Sequence, residues 1–452
     1  MLDGANLTRA SLSGQDLRKQ DLTGCVLTGA DLTGANLSGQ DLRKSDLTGC
    51  RLDEANLTDC VLDGANLTGA SLWGQDLRNR DLSGCLLAGA NLTGANLSGQ
   101  DLRKSDLTGC RLDEANLTGC VLDGANLTGA KLTGQDLRNH DLKDCVLAGA
   151  NLTGANLSGQ DLRNRDLSGA DLREANLTDC VLDGANLTRA SLSGQDFRNH
   201  DLSGCVLARA DLSEANLSGQ DLRNHDLRRC TLEGANLSGA KLTGAKLTGG
   251  TSLGRRGRDE ATLKNANLSG ADLTGCVLTG VNLVEANLSG ADLTDCVLDG
   301  ANLTGANLTG ANLTGANLTR TNPSDEDLRN LYLSAANLTG ANLTGANLTG
   351  CALAGANLTR ANLSGQDLHN HDLTECVLTE ADLTGCALAG ANLSGANLSG
   401  QDLTNLDLTD CRLTGANLTG CVLTGARLYG AAAGTAPKPA YDIRANLHEH
   451  LL

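Results

Sequence analysis

The sequence predicts an all-β solenoid, and three observations carry that expectation: a leucine at every fifth residue, a small residue two places before it, and a turn-forming residue two places after it. Leucine fills every fifth position from Leu2 to Leu247 except at Phe197. The register then slips by one, resumes at Leu263 and runs to Leu428, broken only at Pro323. Of the 84 slots, 82 hold leucine. A short fixed period sets the architecture before any other feature is read.

Each element follows from one part of the repeat, seen in Ala65-Asn66-Leu67-Thr68-Gly69. The leucine and the small residue alternate with polar positions, which is the period-two signature of a short strand. Glycine, or a polar substitute, ends that strand after a few residues, so a turn follows every five. A helix is excluded, because a period of five sets successive leucines about 140° apart and leaves no apolar stripe. Short strands joined by regular turns wind into coils in which leucine stacks on leucine and backbones pair as a parallel ladder.

Composition agrees. Aromatic residues make up 1% of the chain, far too few for a conventional mixed core. The formal net charge of −17 repels nucleic acid and anionic membrane and favours basic partners. No apolar run approaches membrane-spanning length and no leader precedes the repeat, so a cytoplasmic location without membrane insertion is expected. All 17 cysteines fall two places before a repeat leucine, as do Cys25, Cys50 and Cys276. That slot otherwise holds mostly alanine, so cysteine reads as a slightly larger buried apolar group, with no metal, cofactor or redox role. So many unpaired thiols fit a reducing compartment.

A longer period overlies the short one. Residues 1–60, 61–120, 121–180 and 181–240 are four copies of one unit, as Val61-Leu62-Asp63-Gly64 shows against Val121-Leu122-Asp123-Gly124. Sixty residues make three coils of 20 or four coils of 15, so the number of sides stays open on this ground.

The motif A(D/N)LXX resembles that of the pentapeptide-repeat family over residues 1–429, apart from one interruption. The resemblance implies a right-handed quadrilateral parallel β-helix with twenty residues per coil. Evenly divided, the 84 slots make about 21 coils and a rod about 100 Å long at the usual strand spacing. The expected organisation is a β-helix over 1–248 with four sixty-residue units in 1–240, a loop at 249–261, a continuing β-helix over 262–429, and a tail at 430–452.

Departures from the repeat supply the candidate sites. Folding by 20 gives one inward column of polar groups, among them Gln40, Arg80, Gln100, His140, Gln160, His200 and Gln220. A buried arginine is costly without partners. The column is therefore expected to be either a hydrogen-bonded ladder that holds the register or a recognition edge. His140, His200, His225 and His371 share the context Asn-His-Asp, but equivalent slots carry Arg80, Gln20 or Ser45, which a metal site would not tolerate. Arginines recur once in each copy of the long unit, at Arg18, Arg78, Arg138 and Arg198 and at Arg43, Arg103, Arg163 and Arg223, each two places after an aspartate. That spacing suggests a self-neutralising face.

The loop carries Arg255, Arg256 and Arg258 and is the best candidate for a specific contact on an acidic molecule. Pro323 should bulge the ladder, since it cannot donate a hydrogen bond. Residues 441–451 read as a helix with Ile443, Leu447 and Leu451 on one face, which would cap the last coil. No comparable cap opens the chain, so homo-oligomerisation through the N-terminal end is a candidate.

No nucleophile–base pair, phosphate loop or carboxylate pair stands out from the repeat. The expected function is a non-enzymatic structural or interaction protein, a rigid acidic rod presenting its faces to protein partners as scaffold or spacer, within a larger assembly. The family resemblance implies an alternative: a DNA mimic that binds, inhibits or protects a type II topoisomerase such as DNA gyrase, without direct binding of nucleic acid.

Overall fold

The computed structural model describes residues 4–248, 261–321 and 332–432. The chain falls into two compact units: Met1–Gln195 with Asn199–Asp211, and Asp196–Arg198 with Leu212–Leu452. No helix among the described residues is long and apolar enough to cross a membrane.

In the first unit, parallel bridges join Asn6 to Val26, Ser11 to Asp31, Asp16 to Asn36 and Val26 to Asp46. Each bridge joins position i to position i+20, and four columns of pairs occur per coil. The coil is therefore four-sided, and the three-sided alternative is removed. The leucine amide donates outward along the ladder, as Leu7 N–H does to the Val26 carbonyl at 2.7 Å. The Val26 amide donates back to Ala5 O at 3.1 Å.

Each side ends in a turn closed by the small residue, as when Ala10 N–H donates to Leu7 O at 2.9 Å. The third residue of that turn has positive φ, 57° at Arg9 and 67° at Gly14, the conformation a type II turn places there. Glycine adopts it freely, whereas an L side chain costs about 1–2 kcal/mol. Charged residues nevertheless occupy it at Arg9, Lys44, Glu54 and Glu114.

The polar residue before each leucine shapes the same corner. Asn6 Oδ1 accepts from the Thr8 amide at 3.0 Å and from its hydroxyl at 2.6 Å. This is why Asn or Asp, then Leu, then Thr or Ser recurs. Where asparagines stack, Asn116 Nδ2 donates to Asn96 Oδ1 at 3.2 Å and Asn176 to Asn156 at 3.1 Å. Inside, Leu27, Ala30, Leu32, Ala35 and Leu37 are fully buried. Each such leucine contributes about 1.5–3 kcal/mol by leaving water.

The second unit uses the same four columns, as in the pairs Thr262–Asn282, Asn267–Asn287, Asp272–Asp292 and Val277–Val297. Two of its coils are longer. Thr231 pairs with Thr262 and Lys246 with Val277, a step from i to i+31 that exceeds the usual one by eleven. Asn307 pairs with Tyr332 and Asn317 with Asn342, a step from i to i+25 that exceeds it by five. The sequence accounts for both additions. Without Gly250–Glu260 the chain would read Leu247-Thr248-Gly249-Ala261-Thr262-Leu263, and without Pro323–Asp327 it would read Thr321-Asn322-Leu328-Arg329-Asn330. Both are whole repeats. An even division of all the repeats by coils of 20 therefore does not hold here.

Both additions fall at the margins of one face of this unit. The first precedes Thr262, whose column continues through Asn282 and Asn302. The second follows Thr321, whose carbonyl accepts from the Asn347 amide at 3.3 Å. Arg255, Arg256, Arg258 and Pro323 lie outside the described residues, as do Met1 and the cap residues Ile443, Leu447 and Leu451.

Candidate functional site

Five of the seven named members of the inward polar column are buried, and Arg80 and His200 are partly exposed. Gln40, Gln100, His140, Gln160 and Gln220 are 6–9% exposed, which leaves no surface to offer a partner. The glutamines do not bond one another. Each reaches back to a backbone carbonyl of the preceding coil: Gln100 Nε2 donates to Leu77 O at 2.6 Å, Gln160 to Leu137 O at 3.0 Å, and Gln220 to Phe197 O at 2.7 Å. Gln40 takes Arg18 O at 3.2 Å. The leucine carbonyl already accepts a turn amide, as Leu77 O does from Arg80 N at 3.0 Å. The glutamine amide fills its second lone pair.

The larger members behave differently. His140 Nδ1 lies 3.1 Å from Cys120 O and His200 Nε2 lies 2.8 Å from Leu177 O. The Arg80 side chain is 15% exposed, and its guanidinium reaches the corner, 3.3 Å from Asn79 O and 4.0 Å from Asp59. Its Nε is buried with no partner among the described residues. The residues that follow Gln20, Arg80, His140 and His200, namely Asp21, Asp81, Asp141 and Asp201, carry no bridge. The ladder is interrupted on this side once every three coils, and the glutamine one coil later makes a side-chain bond across the gap. The column is thus where the register is weakest as well as where it is cross-linked.

A second polar column went unremarked in the sequence. Gln75, Gln135 and Gln195 are also buried, and each donates to two carbonyls: Gln75 to Leu52 O at 2.7 Å and to Ala55 O at 3.1 Å. Gln366 makes the same bond to Leu343 O at 2.8 Å in the second unit, and Gln401 to Leu378 O. Folding the sequence by 20 from Gln15 would have found the first three.

Cysteine in this slot does more than fill space. Cys50 Sγ donates to Leu27 O and Cys110 Sγ to Leu87 O, both at 2.8 Å, the geometry glutamine uses. All 17 thiols are free, and all but Cys421 are buried. Burial pushes Cys50 and Cys85 up to about 11 and Cys110 up to about 12. Such thiols are poor nucleophiles.

Outside, every arginine of the two rows folds onto the aspartate two places before it. Arg43 lies 2.5 Å from Asp41 and Arg103 2.5 Å from Asp101, and Arg18, Arg78, Arg138, Arg163, Arg198 and Arg223 repeat the pairing. Hydrogen bonds from the guanidinium hold Asp41, Asp101 and Asp161 down at about 2. The rows are therefore locally neutral, as the spacing suggested.

Among curated proteins none matches. HetL, a pentapeptide repeat protein involved in heterocyst differentiation regulation from the cyanobacterium Nostoc sp. strain PCC 7120, is similar: 30% identity over 56% of this chain and 90% of that one, with a TM-score of 0.26. QnrB1, a plasmid-mediated fluoroquinolone resistance protein, shows 21% identity over 50% of this chain and 89% of its own, with a TM-score of 0.25. A pentapeptide repeat protein of the Arabidopsis thaliana thylakoid lumen shows 31% identity over 28% and 68%, with a TM-score of 0.14. The family described as Pentapeptide repeats matches in successive segments from 2–39 to 391–430, and its matches stop at 249 and 322 and resume at 259 and 327, where the two long coils lie. With its motif, its regular four-sided register and this match along nearly its whole length, the chain belongs to the pentapeptide-repeat family, whose members fold as right-handed β-helices.

Proposed function

We propose that this chain is a non-enzymatic interaction protein, an acidic β-helical scaffold that presents its faces to protein partners, with Arg255, Arg256 and Arg258 as a specific contact. One observation carries the reading. The step from i to i+20 is kept wherever bridges are recorded except in two coils, and both additions border the same face of the second unit. An addition that leaves the coils on either side of it paired is where a scaffold places a contact. The free thiols fit a reducing, cytoplasmic setting. The loop at 249–261, around the extra Gly250–Glu260, would separate the two stretches of β-helix. A cap at 441–451 would cover Leu418, Leu423 and Leu428, which are only half-buried.

The test removes Gly250–Glu260 and compares crosslinked partners of the intact and shortened chains. Loss of a partner with an unchanged circular dichroism spectrum is expected. Equal capture by both chains would sink the assignment of the contact.

A second reading, the DNA mimic acting on a type II topoisomerase, draws on the net charge of −17. It requires the purified chain to alter gyrase supercoiling. No effect at micromolar excess would remove it.

A further inference from the structure

Within the duplicated first unit one side chain breaks the pattern on the outside. Trp73 is the only tryptophan of the protein, and it is 53% exposed in the corner turn that follows Leu72. The corresponding residues of the sister copies, one whole copy away in each step, are Ser13, Thr133 and Ser193. The repeat does not need an indole there, since serine or threonine serves in the sister copies.

Its surroundings are acidic. The Trp73 amide donates to Asp53 Oδ1 at 3.2 Å, which sets Asp53 and the corner residue Glu54 one coil before the indole. Along the bridged column Arg51–Ser71–Asn91–Arg111, the matching pair Asp113 and Glu114 lies two coils after it. The face thus carries four carboxylates against two arginines, and Arg51 is already held 3.9 Å from Asp53. The two acidic pairs are about 14 Å apart at the strand spacing. An extended chain spans that distance in about four residues.

We propose that the Trp73 face docks a basic, extended segment of a partner protein, with an arginine or lysine over the indole and further cations against the flanking acidic pairs. An aromatic face next to carboxylates attracts a cation through the ring quadrupole as well as through charge. The acidic balance of this face and of the whole chain selects that partner over an acidic or apolar one. The proposal rests on the scaffold reading and names one of its docking faces.

The test uses the full chain and fluorescein-labelled octa-arginine at low ionic strength. Emission of the single tryptophan should change saturably as peptide is added. By anisotropy, Trp73→Ser should weaken binding about two- to five-fold, the range expected of an exposed cation–π contact. That variant leaves the net charge unchanged and places at 73 the residue found at Ser13 and Ser193, so its fold is safe. Glu54→Gln should weaken binding more than Asp123→Asn, whose carboxylate lies on another face. Equal affinity of Trp73→Ser and the parent would overturn the proposal in favour of diffuse electrostatic binding, as would unchanged emission at peptide saturation. An emission shift driven by protein concentration alone would assign the indole to a second copy of the chain instead. Any of these failures leaves the scaffold reading standing, because that reading fails only if the intact chain captures no protein partner.

Discussion

The two units share a repeat and differ in what interrupts it. In the first unit every recorded bridge keeps the step from i to i+20, and variation enters from inside, as bulky polar side chains in alanine-sized slots. In the second unit variation enters from the backbone, as additions of eleven and of five at the margins of one face. In the first unit Asp21, Asp81, Asp141 and Asp201 carry no bridge, each after a polar residue of the inward column. The second leaves the ladder on either side of each addition in register.

That contrast can be broken or sharpened by measurement. The largest effect should come where the units are alike. Leu152→Ala in the first unit and Leu313→Ala in the second both truncate side chains with no exposure, and each should cost about 2–5 kcal/mol in chemical denaturation. A cost below about 1 kcal/mol in either would show a core that collapses around the cavity.

Arg80→Gln should move the other way. It removes a mostly buried cation with an unpartnered Nε and installs the residue of neighbouring slots. Stability should rise by about 1–2 kcal/mol in chemical denaturation. If stability falls instead, the contact with Asp59 outweighs the desolvation of the guanidinium.

Gln100→Ala should cost only about 0.5–1.5 kcal/mol, because Leu77 O keeps the Arg80 amide. A loss much above that range would make the side-chain bond the main closure of the gap beside Arg80.

The smallest effect is set by pH. Asp41, Asp101 and Asp161 are held at about 2, below the ordinary aspartate value of about 3.9. A lowered folded-state pKa gives stability that is complete above the unfolded value and drains as pH falls from about 4 to about 2. The decline should be slight, because the pairs are exposed. Lysine in place of Arg43, Arg103 and Arg163 should flatten it further, and an unchanged acid titration in that variant would deny the pairs any part in it.

Much of this was legible in the residues. The leucine period fixes the coil interior, the position of cysteine predicts its burial, and the Asp–Arg spacing predicts the pairing at Asp41 and Arg43. The number of sides needed the bridges, because 60 divides by both 15 and 20. Gln75, Gln135 and Gln195 were as legible as Gln100 but sit on another side of the coil. Two findings were beyond reach. That Asp81 and Asp141 carry no bridge, while Asp41 and Asp101 follow glutamines of the same column and keep theirs, depends on geometry across coils that the residue types do not give. That Glu54 and Arg9 accept positive φ depends on the corner overruling their local preference. The second insertion was hidden because five residues leave the leucine phase unchanged, so a proline in the slot was the only outward sign.

The long copies have one more consequence. Because the copy length is a whole number of coils, the outward groups that residues 61–120 and 121–180 share, such as the pairs Asp76–Arg78 and Asp136–Arg138, return on the same side at a fixed step along the coils. A ligand that recognises one copy meets the next at a fixed step, so two weak contacts can act as one strong one through effective concentration. Duplication in such a molecule sets valency, and a partner that is itself repetitive would sense the number of copies as avidity.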